Sequence, residues 1–335
     1  MRFFIGMVAI WMSLAAVISH AEPVSSLYQV REELTSQESE ERDMGLQQAF
    51  VALMQRLTGQ ADAAQAPALA DYQADPQALI SHYDYEGNTL VVNFDQQVVQ
   101  AALAQTNLPV WGSNRSLVLA WWLIEDLNGL RLISDGQSNA QKLYAAAHYA
   151  GIPVRFPLGD LNDQLLIGSD PLRNNEKLRH SDERYTADAV LLVQQSADKE
   201  DFAANWQLWL GDELQQGEAS ADSQDALARN VFFQVNQYLA ERFAIKAGEG
   251  ETLNVRVQGL NLERFVLIER LLEPFTAQLQ EVNQDAAQWQ VRSRVEQVRA
   301  QMALGQLHET AEQDADDPSG LHSSDSSAQT LYFSW

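Results

Sequence analysis

The residues whose types and spacing suit chemistry are few. Gly136-Gln-Ser-Asn-Ala140 resembles the turn that presents a nucleophilic serine, with alanine where the last glycine belongs. Asp135 and His148 are near in sequence, and a serine hydroxyl deprotonated by histidine would attack an acyl carbon. The spacing instead predicts one helix holding both Ser138 and His148, about 15 Å apart along its axis, so Ser138 is expected to be a helix cap. His180 and His308 are the remaining conceivable bases, and neither has supporting spacing. His308-Glu309-Thr-Ala-Glu312 lacks the second histidine of a zinc-protease helix. Asp314, Asp316 and Asp317 resemble a calcium loop, but Pro318 occupies the third ligand position and the distal glutamate is missing. Gly248-Glu-Gly250 lacks the third glycine of a phosphate cradle. Two carboxylate pairs, Glu125/Asp126 and Asp160/Asp163, are expected at strand ends, where ligands often bind in α/β sheets. With 46 acids in the chain such pairs arise easily. Trp121 and Trp122 are adjacent and must point to opposite faces of a strand; an exposed ring would suit glycan stacking or a partner contact. No catalytic residue, cofactor or metal is assigned.

The elements that would position these groups follow from periodicity. Val24 to Val30 reads as a strand, and Glu38 to Leu57 as an amphipathic helix closed by Gly59. Residues 61–75 read as a loose connection. Ile80 to Phe94 forms a hairpin turning at Glu86-Gly87-Asn88, and Asp95 caps the helix that follows. Ser116 to Ile124 is too apolar for a half-exposed strand and reads as a central one. Asn128-Gly129 turns it back along Leu130 to Ile133. Then come a helix (Ser138 to Ala150), a strand (Ile152 to Phe156), a short helix (Asn174 to Arg184) and a core strand (Ala187 to Val193). A hairpin around Gly211-Asp212 and a long helix (Asp222 to Ala244) complete this part. Leu253 to Val257 is a strand, and Asn261 caps a helix that Pro274 ends or kinks. A strand (Trp289 to Val295) and a helix (Glu296 to Leu304) follow, and Leu331 to Trp335 closes the chain as a strand. Leu331, Phe333 and Trp335 alternate like the last strand of an outer-membrane barrel, but a barrel needs at least about eight strands and this chain is helix-rich. The expected fold is α/β to α+β, with three small mixed modules in series: 22–111, 112–247 and 252–335, the last with an acidic flexible loop at 309–329.

Address is the plainest reading. Met1-Arg2, the apolar run Phe3 to Ile18, and Ser19-His20-Ala21 have the layout of a cleavable secretory signal peptide, cut between Ala21 and Glu22. The run spans about 24 Å as a helix, short of the ~30 Å hydrocarbon core. Cleavage leaves 314 residues, and with Arg2 gone 21 bases face 46 acids, so the net charge becomes −25. That field argues against non-specific binding to nucleic acid or anionic lipid surfaces, and no other stretch approaches the length of a membrane helix, so no stable membrane insertion is expected after cleavage. With no cysteine, the chain has no disulfide, no thiol nucleophile and no thiolate metal site.

Arg115-Ser-Leu-Val-Leu-Ala-Trp-Trp-Leu-Ile-Glu-Asp126, Gly151-Ile-Pro-Val-Arg-Phe-Pro-Leu-Gly-Asp-Leu-Asn-Asp-Gln164, Arg184 to Val193 and Trp206-Gln-Leu-Trp209 together carry a resemblance. On these residues the chain resembles an uncharacterised Gram-negative periplasmic family, domain-of-unknown-function family number 2066. That resemblance implies export and an envelope setting and carries over no catalytic residue. The layout of the middle module also resembles the α/β domain of the TolB amino-terminal type, a likeness of fold alone. The expected function is a non-enzymatic periplasmic interaction or envelope-assembly factor whose partner is another envelope protein. The alternatives are an unrecognised periplasmic hydrolase, using Ser138 or the strand-end acids, and a small-ligand binder with a cleft between modules.

Overall fold

The computed structural model describes residues 26–310 and 329–335, apart from 114, 128, 168–169, 174, 197–201, 246–250, 273–274, 276 and 284. The apolar opening and its cleavage point lie outside these residues, as do Asn128, Gly248 to Gly250, Pro274 and most of the acidic loop. Three sheets carry the fold.

The first sheet follows a short turn at residues 26–28 that displaces the expected opening strand to β1 (Gln29–Glu33). Helix α1 (Ser39–Thr58) buries Leu46, Ala49, Phe50, Leu53 and Leu57, the residues at spacings of three and four. Gly59 ends it at φ 69°, and its N–H is donated to the Gln55 carbonyl. Residues 61–75 are not a loose connection. They form two single 3-10 turns and helix α2 (Ala70–Ala74), because Ala63, Ala64 and Leu69 bury small apolar side chains there. Strands β2 (Ile80–Glu86) and β3 (Thr89–Phe94) pair around Gly87, and the sheet order is β1-β3-β2, all antiparallel. The Asp95 carboxylate accepts from the N–H groups of Gln97 and Val98 and so caps helix α3 (Gln96–Leu103).

The second sheet is built on β4 (Val118–Asp126), buried on both faces from Val118 to Ile124. It pairs antiparallel with β5 (Gly129–Ile133). Helix α4 (Ser138–Tyr149) leads to β6 (Val154–Arg155), a two-residue strand parallel to the start of β4. The chain then makes three short helices: α5 (Leu161–Leu166), α6 (Glu176–Arg179) and α7 (Asp182–Tyr185). Strand β7 (Ala189–Ser196) lies parallel to β4, and β8 (Phe202–Leu210) and β9 (Glu213–Ala221) extend the sheet antiparallel. Helix α8 (Gln224–Phe243), capped by the Ser223 hydroxyl, packs with α4 on one face. Trp122 belongs to that face and stacks near Phe232, and its indole N–H is donated to Gln195 Oε1 at 2.8 Å. Trp121 points the other way, against Tyr185, with its N–H donated to Ser181 Oγ at 3.0 Å. Both rings are fully buried with their polar edges satisfied, so neither is a stacking platform.

The third sheet comprises β10 (Glu251–Gln258), β11 (Gln278–Val282), β12 (Ala286–Ser293), β13 (His308–Thr310) and β14 (Gln329–Ser334), in the order β11-β12-β10-β14-β13. Helix α9 (Leu262–Leu272) follows β10, and helix α10 (Val295–Leu304) follows β12. The closing strand enters the middle of the sheet, parallel to β10. One face of the second sheet, with Trp122, shares a continuous core with the third sheet; its other face, with Leu119, Trp121, Leu123 and Tyr185, has a smaller core, and the first sheet and α1 have their own.

Candidate functional site

Helix α5 turns an acid inward and leaves leucines exposed. Leu158, Leu161 and Leu165 recur at intervals of three and four residues and are 62%, 71% and 69% exposed. Its inner side carries Asp163, which is fully buried. Leu166 and Ile167 pack on the core beside it, so α5 buries a carboxylate while two of its leucines stay in solvent. A closed network holds this arrangement. Asp163 Oδ2 accepts from the Gly159 N–H at 2.8 Å and from the Tyr185 hydroxyl at 2.7 Å, and Oδ1 accepts from Arg184 Nη1. Arg184 Nη2 donates to Asp160 Oδ2 at 2.6 Å, and Asp160 Oδ1 accepts from the Asp163 N–H at 3.0 Å. Asp160 therefore caps α5, and its backbone bond to Asp163, followed by the Arg184 guanidinium, holds its carboxyl below the usual range. Burial first, then the bond to Asp163, pushes the Tyr185 hydroxyl up to about 12, so it stays a donor. Tyr185 also accepts from the Leu158 N–H at 3.0 Å, which joins the loop before α5 to the sheet core through Trp121. Gly159 has φ 75°, and a Cβ there would lie 2.6 Å from Ser134 Oγ, so only glycine lets this loop approach β5 so closely.

Asp160 and Asp163 do form one cluster, but at the start of a helix and not at a strand end. Both oxygens of Asp163 are engaged by donors of the cluster, and the carboxylate is fully buried. Glu125, at the end of β4, accepts from Gln194 Nε2 at 2.8 Å. Ser138 lies exposed in the first turn of α4, one residue inside the expected cap position, and the α4 N-cap makes no side-chain bond. His148 faces away from it and pairs with Ser26 Oγ. Desolvation, then Arg56 and Arg31, lowers the His148 imidazole to about 4. Among the described residues no group of three or more His, Asp or Glu is placed to hold a metal ion.

A second buried cluster joins the first sheet to the second. Arg56 donates to the carbonyls of Leu27, Gln29 and Tyr149. Arg115 donates to those of Gly112, Gly151, Arg56 and Trp111, and its guanidinium lies 4.2 Å from the Trp111 ring centre. Asn236 of α8 donates to Arg56 and Ala150 carbonyls. Both guanidiniums are fully buried, and desolvation lowers them to about 10 and about 9. The cluster satisfies the carbonyls that end α1 and α4 and is a structural joint. Among the described residues, two open grooves stand out by size. One of about 920 Å³ lies where Gln65, Pro109, Glu241 and Arg294 converge. The other, about 820 Å³, lies beside β5 and is lined by Glu125, Arg131, Gln164 and Ile167, next to α5.

Sequence reasoning did not anticipate α5. The signal was present in Asp160-Leu-Asn-Asp163, a cap followed three residues later by a second acid, inside a leucine repeat of helical spacing. Among the described residues no helix is long and apolar enough to cross a membrane.

A family model described as a domain of unknown function (DUF8605) matches residues 21–112. The matched family is uncharacterised; its number is not 2066, and the residues that carry the resemblance to family 2066 all lie beyond the match. No curated protein matches the chain. Solved structures similar to parts of it include the C-terminal domain of LpoB from Salmonella enterica, 16% identical over 32% of this chain and 83% of that one, with a TM-score of 0.22. Lipoprotein GNA1162 from Neisseria meningitidis is 20% identical over 37% of this chain and 97% of that one, with a TM-score of 0.24.

Proposed function

We propose that the chain is a non-enzymatic interaction factor of the bacterial envelope, exported by a signal peptide cut between Ala21 and Glu22, and that it docks another envelope protein through the α5 leucines. The three modules 22–111, 112–247 and 252–335 are its units of construction. One observation carries the reading: Leu158 on the loop before α5 and Leu161 and Leu165 on α5 face solvent, while the helix's buried Asp163 is pinned by Gly159, Tyr185 and Arg184. Covering a leucine stabilises by about 1.5–3 kcal/mol, so a stripe held outward in this way is a surface suited to a partner. Because the chain after cleavage has a net charge of −25, with 21 bases against 46 acids, the partner surface is an apolar groove rimmed by basic groups. The hydrolase reading has less support, since Ser138 and His148 are not brought together.

A photoreactive residue at position 161, in intact cells, tests this. The proposal expects one envelope protein crosslinked from position 161 and not from position 216 on β9. It fails if both positions crosslink the same proteins, or if position 161 crosslinks nothing.

A further inference from the structure

The third sheet has an apolar face and a polar face. Leu253, Val255, Val257, Trp289, Val291, Leu331 and Phe333 point into the core with α9 and α10. The alternating residues make the opposite face. In register, Arg256 lies between Gln288 and Tyr332, Asn254 is beside Gln290, and Arg292 faces Thr252. Four residues of strand separate the two arginine rows, about 14 Å. Arg292 is exposed, and Arg256, Gln288, Gln290 and Tyr332 are half-buried. Among the described residues neither arginine side chain makes a hydrogen bond or an ion pair. In a chain with 46 acids and 22 bases, two cations left unpaired on one face are a local exception to the overall field.

We propose that this face binds a carboxylate-bearing glycan chain. Each arginine takes a carboxylate through its two-pronged donor edge, and Tyr332 lies against a sugar ring. Asn254 is buried beneath this face, and the half-buried amides of Gln288 and Gln290 each offer both donors and an acceptor, which matches neighbouring hydroxyls. A docked protein would need a desolvated apolar centre, and these rows contain no aliphatic side chain. The surface is also distinct from α5, so this proposal and the docking reading stand or fall separately.

The test uses the whole mature chain and calorimetric titration with an oligogalacturonate. A neutral cello-oligosaccharide of equal length and a polyglutamate peptide serve as comparisons. The oligogalacturonate is expected to bind, more weakly as salt rises, and the neutral oligomer to bind about tenfold more weakly or less. R256Q and R292Q are each expected to lose about tenfold in affinity, while L161D binds as the parent does. The proposal is overturned if the oligogalacturonate does not bind, if the neutral oligomer or polyglutamate binds as tightly, or if both arginine variants bind as the parent does. Should R256Q fail to fold, the exposed Arg292 decides the matter alone.

Discussion

Replacing Asp163 separates α5 from its anchor. In Asp163→Ala, the Gly159 N–H and the Tyr185 O–H lose the oxygen that accepts them at 2.8 and 2.7 Å. Each orphaned buried donor costs about 1–3 kcal/mol. Arg184 is 36% exposed and can turn to water, so its lost pair adds little. The expected destabilisation is therefore about 3–4 kcal/mol. Asp163→Asn differs informatively. Its one carbonyl oxygen can take the Oδ2 position and keep both donors satisfied, with the amide NH2 turned toward the movable Arg184, so the cost falls to about 1 kcal/mol. Urea midpoints at constant slope measure both variants. Amide exchange across residues 158–167 locates the loss, which should appear there before it appears in α1 or α8. If Asp163→Ala stays within about 0.5 kcal/mol of the parent, or α5 exchange is unchanged, the network does not hold the helix.

Three further outcomes are expected. Arg115→Ala leaves the carbonyls of Gly112, Gly151 and Trp111 without this donor, while that of Arg56 keeps Asn236, and should cost about 3–5 kcal/mol in denaturant unfolding, with Arg115→Lys intermediate. Gly217→Ala on β9 places a Cβ 2.6 Å from Trp206 Cζ2 and should lower stability by about 1–3 kcal/mol, read as a lower melting temperature. His148 stays neutral in the folded chain down to about 4, whereas the unfolded chain takes its proton near 6.5. Its contribution is thus fully present above 6.5 and is lost as pH falls from there to about 4, by up to about 3 kcal/mol, and His148→Asn should flatten that part of the stability profile.

Where one local rule governs, sequence and structure agree. The leucine and alanine spacing of α1, the Asp95 cap, the apolar run of β4 and the Gly211 hairpin each rest on such a rule, and each forms as expected. The opposite burial of Trp121 and Trp122 follows from strand alternation alone. What was illegible depended on distant partners. The β11 and β13 strands are short, exposed edges with no burial pattern, and pairing with β12 and β14 defines them. The 61–75 segment folds because Ala63, Ala64 and Leu69 find cover in the first core. Asp160 and Asp163 sit beyond a two-residue strand, so strand-end placement failed, and Arg184, 21 residues after Asp163, settles their role. The Arg56–Arg115 joint bonds only to backbone carbonyls, which no side-chain pattern records.

The docking claim is tested most directly with the purified mature chain and whichever protein crosslinks from position 161. Surface binding kinetics are compared for the parent, L161D and L214D, the last at an exposed leucine on β9. The stripe reading predicts that L161D weakens binding by about tenfold or more, chiefly through faster dissociation, while L214D matches the parent and all three melt alike. Equal affinity of L161D and parent would contradict it.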